Sequence, residues 1–158
     1  MLKHYLTIFF IAMLPLIEIR GAMPYAKVYG LPLLISMLIA CVGNMLPLPF
    51  IYLFARKFLQ WGQDKPIIGK SFTFFLNRGE KAGQKLLHSA GRGTYFALFL
   101  FVAIPLPGTG AWTGTLAASV LDLDFRKSLI ASMLGVICAG IIMYLVSSGL
   151  LAGLSLLG

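Results

Sequence analysis

The sequence predicts an all-α integral membrane protein with two inverted repeats, each a re-entrant helical hairpin followed by a transmembrane helix. Three observations favour this fold class. The chain of 158 residues is 59% hydrophobic and only 11% charged. Residues 28–55, 94–121 and 128–158 contain neither Asp, Glu, Lys nor Arg, and each stretch exceeds the roughly 20 apolar residues that cross a bilayer. Two apolar segments are interrupted near their middle by Pro and Gly, which a simple membrane anchor would not contain.

The first repeat, about residues 5–55, opens with an apolar segment that is too short to cross a membrane. As a helix, residues 5–17 would extend about 20 Å, whereas the hydrocarbon core of a bilayer is about 30 Å thick. The motif Glu18-Ile19-Arg20-Gly21-Ala22-Met23-Pro24 interrupts it. A full span, about 30–55, follows, and we expect Pro47 and Pro49 to kink it because proline removes a backbone hydrogen bond.

A basic linker, about residues 56–93, joins the repeats. It holds eight of the thirteen Lys and Arg residues, which predicts a cytoplasmic location. Binding of anionic lipid headgroups is the alternative interpretation of this charge. Residues 72–87 allow an interfacial amphipathic helix, although Gly79 and Gly83 are poor helix formers. Because the charge is concentrated here, the net charge of +8 does not indicate binding of nucleic acid.

The second repeat, about residues 94–158, has the same order of segments. Residues 95–104 would form a half-span of about 15 Å. The motif Pro105-Leu106-Pro107-Gly108-Thr109-Gly110-Ala111-Trp112-Thr113-Gly114 interrupts it, and a full span follows at about 128–148. Residues 149–158 are apolar but too short to cross a bilayer, so we expect them to pack back on the bundle.

Two topologies fit this order of segments. If each interrupted segment crosses the membrane, the chain has four spans and the repeats are parallel. If each enters and leaves on the same side, one span follows each hairpin and the repeats are inverted. The shortness of both half-spans favours the inverted arrangement, with the linker inside and both termini outside.

The charged residues of the first motif are the costliest to place in a membrane. Glu18 or Arg20 at mid-bilayer would cost about 2.5–3.5 kcal/mol, so such residues usually face the protein interior and pair. We expect Arg20 to bind an anionic group and Glu18 to exchange a proton or a cation. The alternative places both side chains in water at the membrane surface. Asn44, on the first full span, is a further polar candidate.

The second motif carries no charge but exposes much backbone. Gly108, Gly110 and Gly114 would let a ligand approach amide and carbonyl groups closely. If a helix begins just after Gly110, its N-terminal amides would favour an anion. The alternative is a tight turn that packs against its counterpart. The candidate substrate- or ion-binding residues are therefore Glu18, Arg20, Gly21, Pro24, Asn44, Pro105, Pro107, Gly108, Thr109, Gly110, Trp112 and Gly114.

The sequence predicts no enzyme and no cofactor. It contains no phosphate-binding loop, metalloprotease motif or nucleophile elbow, and its two histidines are far apart in sequence. Cys41 and Cys138 lack the neighbours of a metal or disulfide site, so we expect two free thiols and no metal. The expected partners are membrane lipids and a small-molecule, ion or lipid substrate. Two short repeats enclose little volume, which favours a homodimer.

At its two motifs, residues 18–24 and 105–114, the chain resembles the small multidrug export protein family, thought to be a distant branch of the DedA/VTT superfamily. The resemblance implies paired re-entrant loops in inverted repeats. It also implies a multi-pass transporter of a bacterial inner membrane, with proton coupling as one mechanism. A DedA/VTT-type lipid scramblase or flippase and a non-transporting scaffold are the alternatives. DedA proteins carry arginines around their second re-entrant loop where this chain has Gly108, Thr109 and Gly110, so Arg20 alone would supply the cation.

Overall fold

The computed structural model describes residues 1–55, 57, 61, 73–74, 77–84 and 93–157, and every regular element in these residues is helical. A π-helical turn, Ile51–Ala55, continues the fourth helix, and residues 77–84 form a further helical segment. The helices are α1 Leu2–Met13, α2 Glu18–Val28, α3 Leu33–Met45, α4 Leu48–Phe50, α5 Thr94–Ala103, α6 Ala111–Val120 and α7 Phe125–Leu157.

Helices α1 and α2 fold back on each other as hairpin 1. Its tip, residues 14–20, is called tip 1. At its open end, Nδ1 of His4 lies 3.0 Å from the hydroxyl of Tyr25, and the ring of His4 lies 4.5 Å from that of Tyr29. Near the tip, a Cβ on Gly21 would lie 3.4 Å from Cγ2 of Ile11. The start of α1 therefore lies beside the end of α2.

Helices α5 and α6 form hairpin 2 in the same way. Its tip, residues 104–110, is called tip 2. A Cβ on Gly114 would lie 3.0 Å from Val102 and 3.1 Å from Leu98, so the two helices are in close contact. At the open end, the amide of Asp124 donates a hydrogen bond of 3.0 Å to the hydroxyl of Tyr95. All four hairpin helices are 10 to 12 residues long, about half of what a bilayer crossing needs.

Two longer helical stretches, Leu33–Phe54 and Phe125–Gly149, are long and apolar enough to cross a membrane. The first is interrupted between Met45 and Leu48. The π-helical turn at its end is held to hairpin 2 by two hydrogen bonds. The hydroxyl of Ser119 donates to the carbonyl of Tyr52 at 2.6 Å, and the hydroxyl of Tyr52 donates to the carbonyl of Leu123.

The two hairpins lie along α7 in opposite orientations. The open end of hairpin 2 lies near the start of α7 and the open end of hairpin 1 lies about 26 Å further along, with both tips between them. The contacts, in order along α7, are Lys127 over the Tyr95 ring at 5.6 Å, Gly135 against Val102, Gly140 against Ile19, and Tyr144 beneath Lys27 at 5.1 Å.

The structure confirms the all-helical fold class and two helices of spanning length, one of them interrupted near Pro47 and Pro49. The tail expectation is wrong, because α7 continues to Leu157 as one helix instead of turning back. In the expected amphipathic helix, residues 73–74 and 77–84 are helical, and the others between 72 and 87 lie outside the described residues.

Candidate functional site

The turn between α1 and α2 sets the directions of two charged side chains. Pro15 ends the first helix, and Leu16 and Glu18 adopt positive φ angles of 73° and 54°. Such angles cost free energy for residues other than glycine and persist where surrounding contacts enforce them. The chain then enters α2, so Glu18 and Arg20 both leave its first turn in different directions.

The carboxylate of Glu18 caps the N-terminus of α6. Its Oε2 accepts a hydrogen bond of 3.0 Å from the amide of Ala111, and its Oε1 accepts one of 2.9 Å from the amide of Trp112. Glu18 is only 3% exposed. The first amides of a helix have no partner within the helix and carry the positive end of its dipole, so a carboxylate satisfies both their hydrogen bonding and their charge.

Gly110 makes room for this carboxylate. Its φ of 142° is a conformation that side chains disfavour, and a Cβ there would lie 2.6 Å from Oε2 and 2.8 Å from Oε1 of Glu18. Both distances are too short for any contact between a methyl carbon and an oxygen. Glycine at this position therefore serves the contact between the tips as well as the turn itself.

The guanidinium of Arg20 binds the carbonyl groups around tip 2. Two of its targets, the carbonyls of Val102 and Ile104, are at the C-terminus of α5, where a cation also complements the helix dipole. Its bonds run from Nη1 to the carbonyls of Leu106 (3.0 Å) and Thr109 (2.7 Å), and from Nη2 to the carbonyls of Val102 (3.2 Å) and Ile104 (3.2 Å) and to Oγ1 of Thr109 (2.9 Å).

In tip 1, the Glu18 carboxylate thus caps the N-terminus of α6, and the Arg20 guanidinium caps the C-terminus of α5. The sequence predicts an anion here on the condition that a helix begins just after Gly110, and a helix does begin at Ala111. In the structure, the anion at this place is the side chain of Glu18. Arg20 is likewise engaged by backbone carbonyls, and its Nε is buried without a hydrogen bond to any residue that the structure describes.

The remaining candidates lie at different distances from this junction. Pro105 and Pro107 belong to tip 2, and Trp112 contributes its backbone amide to Glu18. Gly21 and Gly114 pack within their own hairpins, and Pro24 lies within α2, about 9 Å along the helix from Glu18. Asn44 is fully buried, and neither atom of its amide has a hydrogen-bond partner in the described part of the chain.

The sequence did not single out two basic residues that lie next to tip 2. Arg78 and Lys81, both in the helical segment 77–84, line a cavity of about 340 Å³ together with Pro107, Gly108 and Thr109. Their spacing in sequence from tip 2 gives no sign of this proximity. The basic face of the expected amphipathic helix was the signal that could have indicated a binding site. The expected cytoplasmic location of the linker, however, already explained this charge.

Comparison with known proteins identifies the family of this chain. No curated protein and no solved structure matches it. The model of one family does match, over residues 18–142, and that family is described as "Putative small multi-drug export protein". The match begins at Glu18, includes Arg20 and all of residues 104–110, and ends within α7. Because it extends over most of the sequence, the chain belongs to this family of small multidrug export proteins.

Proposed function

We propose that this protein is a multi-pass transporter of the plasma membrane that moves a small solute through the junction of its two hairpin tips. In this proposal the hairpins are re-entrant, they enter from opposite faces of the bilayer, and the repeats are inverted. The candidate residues of tips 1 and 2, with Asn44, form the substrate or ion site near mid-bilayer. The family's description as an export protein agrees with this function.

The contact between the tips carries the proposal. Hydrogen bonds from Glu18 and Arg20 join two half-length hairpins near the middle of the bundle, while the open ends of the hairpins lie near opposite ends of the candidate span Phe125–Gly149. Irregular backbone at membrane depth persists only where protein buries it or where it lines a cavity. A junction of two helix breaks halfway across is therefore suited to open and close.

Glu18 offers a way to couple that opening to protons. As a carboxylate it accepts two hydrogen bonds from the start of α6. A protonated carboxyl loses its negative charge and part of its acceptor capacity, so the attraction to the helix N-terminus falls. An anionic group of a substrate would compete for the same two amides. Either event would break the Glu18 contact between the tips and leave tip 1 held to tip 2 by Arg20.

Asn44 supplies a second, independent argument for a site that takes up a ligand or ions. A buried polar group without a partner costs about 1–3 kcal/mol. The Asn44 amide has both its oxygen and its nitrogen in this condition. A water, ion or substrate group that hydrogen bonds to Asn44 would recover that free energy.

Flux through reconstituted protein tests the proposal. Liposomes loaded with pyranine report proton movement, and liposomes loaded with carboxyfluorescein or ethidium report movement of an anionic or a cationic dye. We expect dye movement that depends on a pH gradient, and we expect Glu18→Gln to remove that dependence. Glu80→Gln, at an exposed position of segment 77–84, is the matched control and should behave as wild type.

Lipid movement is the alternative outcome of the same preparation. A fluorescent phospholipid placed in one leaflet becomes accessible to dithionite if the protein scrambles lipids. Lipid movement without dye or proton flux would replace the transporter proposal by a scramblase. Inactivity in all of these assays would leave a non-transporting scaffold.

Thiol labelling tests the proposed topology. In a Cys41→Ser, Cys138→Ser background, single cysteines at the exposed positions Lys3 and Lys57 should react with an impermeant maleimide from opposite sides of the membrane. A cysteine at the exposed Gly149 should react from the same side as Lys3. Labelling of Lys3 and Lys57 from one side would contradict the inverted arrangement.

A further inference from the structure

We infer that the cavity between segment 77–84 and tip 2 binds an oxyanion of the phosphate class, through Arg78 and Lys81. The cavity has a volume of about 340 Å³, and its lining is Arg78, Lys81, Ala82, Phe101, Pro107, Gly108 and Thr109. The cavity shares Pro107, Gly108 and Thr109 with the proposed transport site. The inference nevertheless does not depend on transport, because it concerns only the binding of an anion by Arg78 and Lys81.

Segment 77–84 reaches this cavity by packing along hairpin 2. A Cβ on Gly79 would lie 2.6 Å from Leu116, in the middle of α6, and one on Gly83 would lie 3.3 Å from Leu121, just past its end. The segment therefore runs beside α6, with Gly83 toward the open end of the hairpin. Arg78, one residue before Gly79, is thereby placed beside tip 2.

Arg78 faces the backbone of tip 2, and one of its donors is unused in the described part of the chain. A Cβ on Gly108 would lie 2.8 Å from Nη2 of Arg78, so the guanidinium rests against this glycine. Its Nε is buried and has no hydrogen-bond partner among the described residues. Its carbon Cζ lies 5.6 Å from the centre of the Phe74 ring, a contact that orients the guanidinium plane without using its N–H groups.

The charge of the cavity selects an anion. Among the described residues, its lining contains two cations and no carboxylate, and Glu80, the acidic residue of segment 77–84, is not part of it. The planar fork of an arginine matches two oxygens of a phosphate, and a lysine adds a point charge that adapts to a third. A phosphate group fits such a cavity, whether it belongs to a lipid headgroup or to a soluble solute.

Titration calorimetry of the purified protein in a phosphate-free, uncharged detergent tests this inference. One arm uses inorganic phosphate, and the other uses dihexanoyl phosphatidylglycerol, with dihexanoylglycerol, which has the same acyl chains and no phosphate, as the control. We expect at least one of the two anions to bind. Binding of both indicates that the phosphate group suffices, and binding of the phosphatidylglycerol alone indicates that the site takes a lipid headgroup.

Variants assign the binding to the cavity. Arg78→Gln should weaken binding about tenfold or more, equivalent to ~1.4 kcal/mol, because a charge-assisted hydrogen bond is lost. Lys81→Gln, at an exposed position, should weaken it about threefold, as expected for an exposed ion pair. Arg126→Gln, at an exposed arginine on α7, should bind as wild type.

Two results would overturn the inference. One is that neither anion binds, and the other is that Arg78→Gln and Lys81→Gln both bind as tightly as wild type. If Arg78→Gln does not fold, as judged by its thermal melt, Lys81→Gln and Arg78→Lys decide instead. Arg78→Lys should retain binding at a reduced affinity. Because the readout is binding, absence of transport would leave this test unaffected.

Discussion

Oε2 of Glu18 accepts a hydrogen bond from the amide of Ala111, a residue 93 positions later in the chain, at 3.0 Å. Together with the bond from Trp112 to Oε1, it makes a side chain of the first hairpin the N-terminal cap of a helix in the second. Caps usually come from the residue directly before the helix. Here that residue is Gly110, which has no side chain, and the cap is supplied through space.

Removal of the Glu18 carboxylate should destabilise the protein. Glu18→Ala leaves the buried amide of Ala111 and the partly buried amide of Trp112 without this acceptor, for which we expect a loss of about 2 kcal/mol in the free energy of unfolding. Glu18→Gln should lose about half as much, because its amide oxygen still accepts a hydrogen bond. Thermal unfolding in detergent, followed by circular dichroism, measures both. Equal stability of Glu18→Ala and wild type would show that the cap contributes nothing.

Arg20 should not be replaceable by lysine without loss. Its Nη1 and Nη2 make five hydrogen bonds spread around tip 2. A lysine has three donors on a single atom and cannot span these acceptors. We expect the order of stability wild type, Arg20→Lys, Arg20→Gln, with the first step about 1.5–3 kcal/mol, the value of one charged hydrogen bond. Arg126→Lys, at an exposed site, is the matched control and should leave the melting temperature unchanged.

Gly110→Ala should displace the Glu18 carboxylate. The added Cβ would overlap both carboxylate oxygens, and the φ of 142° adds backbone strain. Because the overlap requires the carboxylate, the cost of Gly110→Ala should be smaller in a Glu18→Ala background. A double-mutant cycle measures that coupling, which we expect to be about 1 kcal/mol or more for residues in contact. Strict additivity of the two changes would contradict the proposed overlap.

Gly43 should tolerate no larger side chain. A Cβ there would lie 2.4 Å from the carbonyl oxygen of Phe9, so α1 and α3 would have to separate. Gly43→Ala should therefore lower the melting temperature clearly, by an amount equivalent to about 1–3 kcal/mol for overpacking. Gly149→Ala is the matched control, since a Cβ at Gly149 meets nothing within 4 Å. Similar melts for both variants would show that the α1–α3 contact adjusts freely.

The sequence was sufficient to predict the local elements, because apolar runs interrupted by Pro and Gly have few alternatives. The half-length segments, the interruption near Pro47 and the helix after Gly110 all follow from local composition. The partner of Glu18 could not be predicted this way, since backbone amides have no signature in sequence and these two are more than 90 residues away. The linker glycines were misleading for a related reason. Gly79 and Gly83 weaken an isolated helix, yet in the structure they let segment 77–84 approach α6.

The capping of tip 2 by tip 1 also determines when the contacts between the two halves of the chain can form. Ribosomal synthesis delivers Glu18 and Arg20 to the membrane long before Val102 to Trp112 exist, so both charges must wait in the translocation machinery or in water. Tip 2, once made, finds its caps already in place. The N-terminal half thus serves as a template on which the C-terminal half closes. A nascent chain stalled within the linker would retain two charges without the partners that residues 102–112 provide.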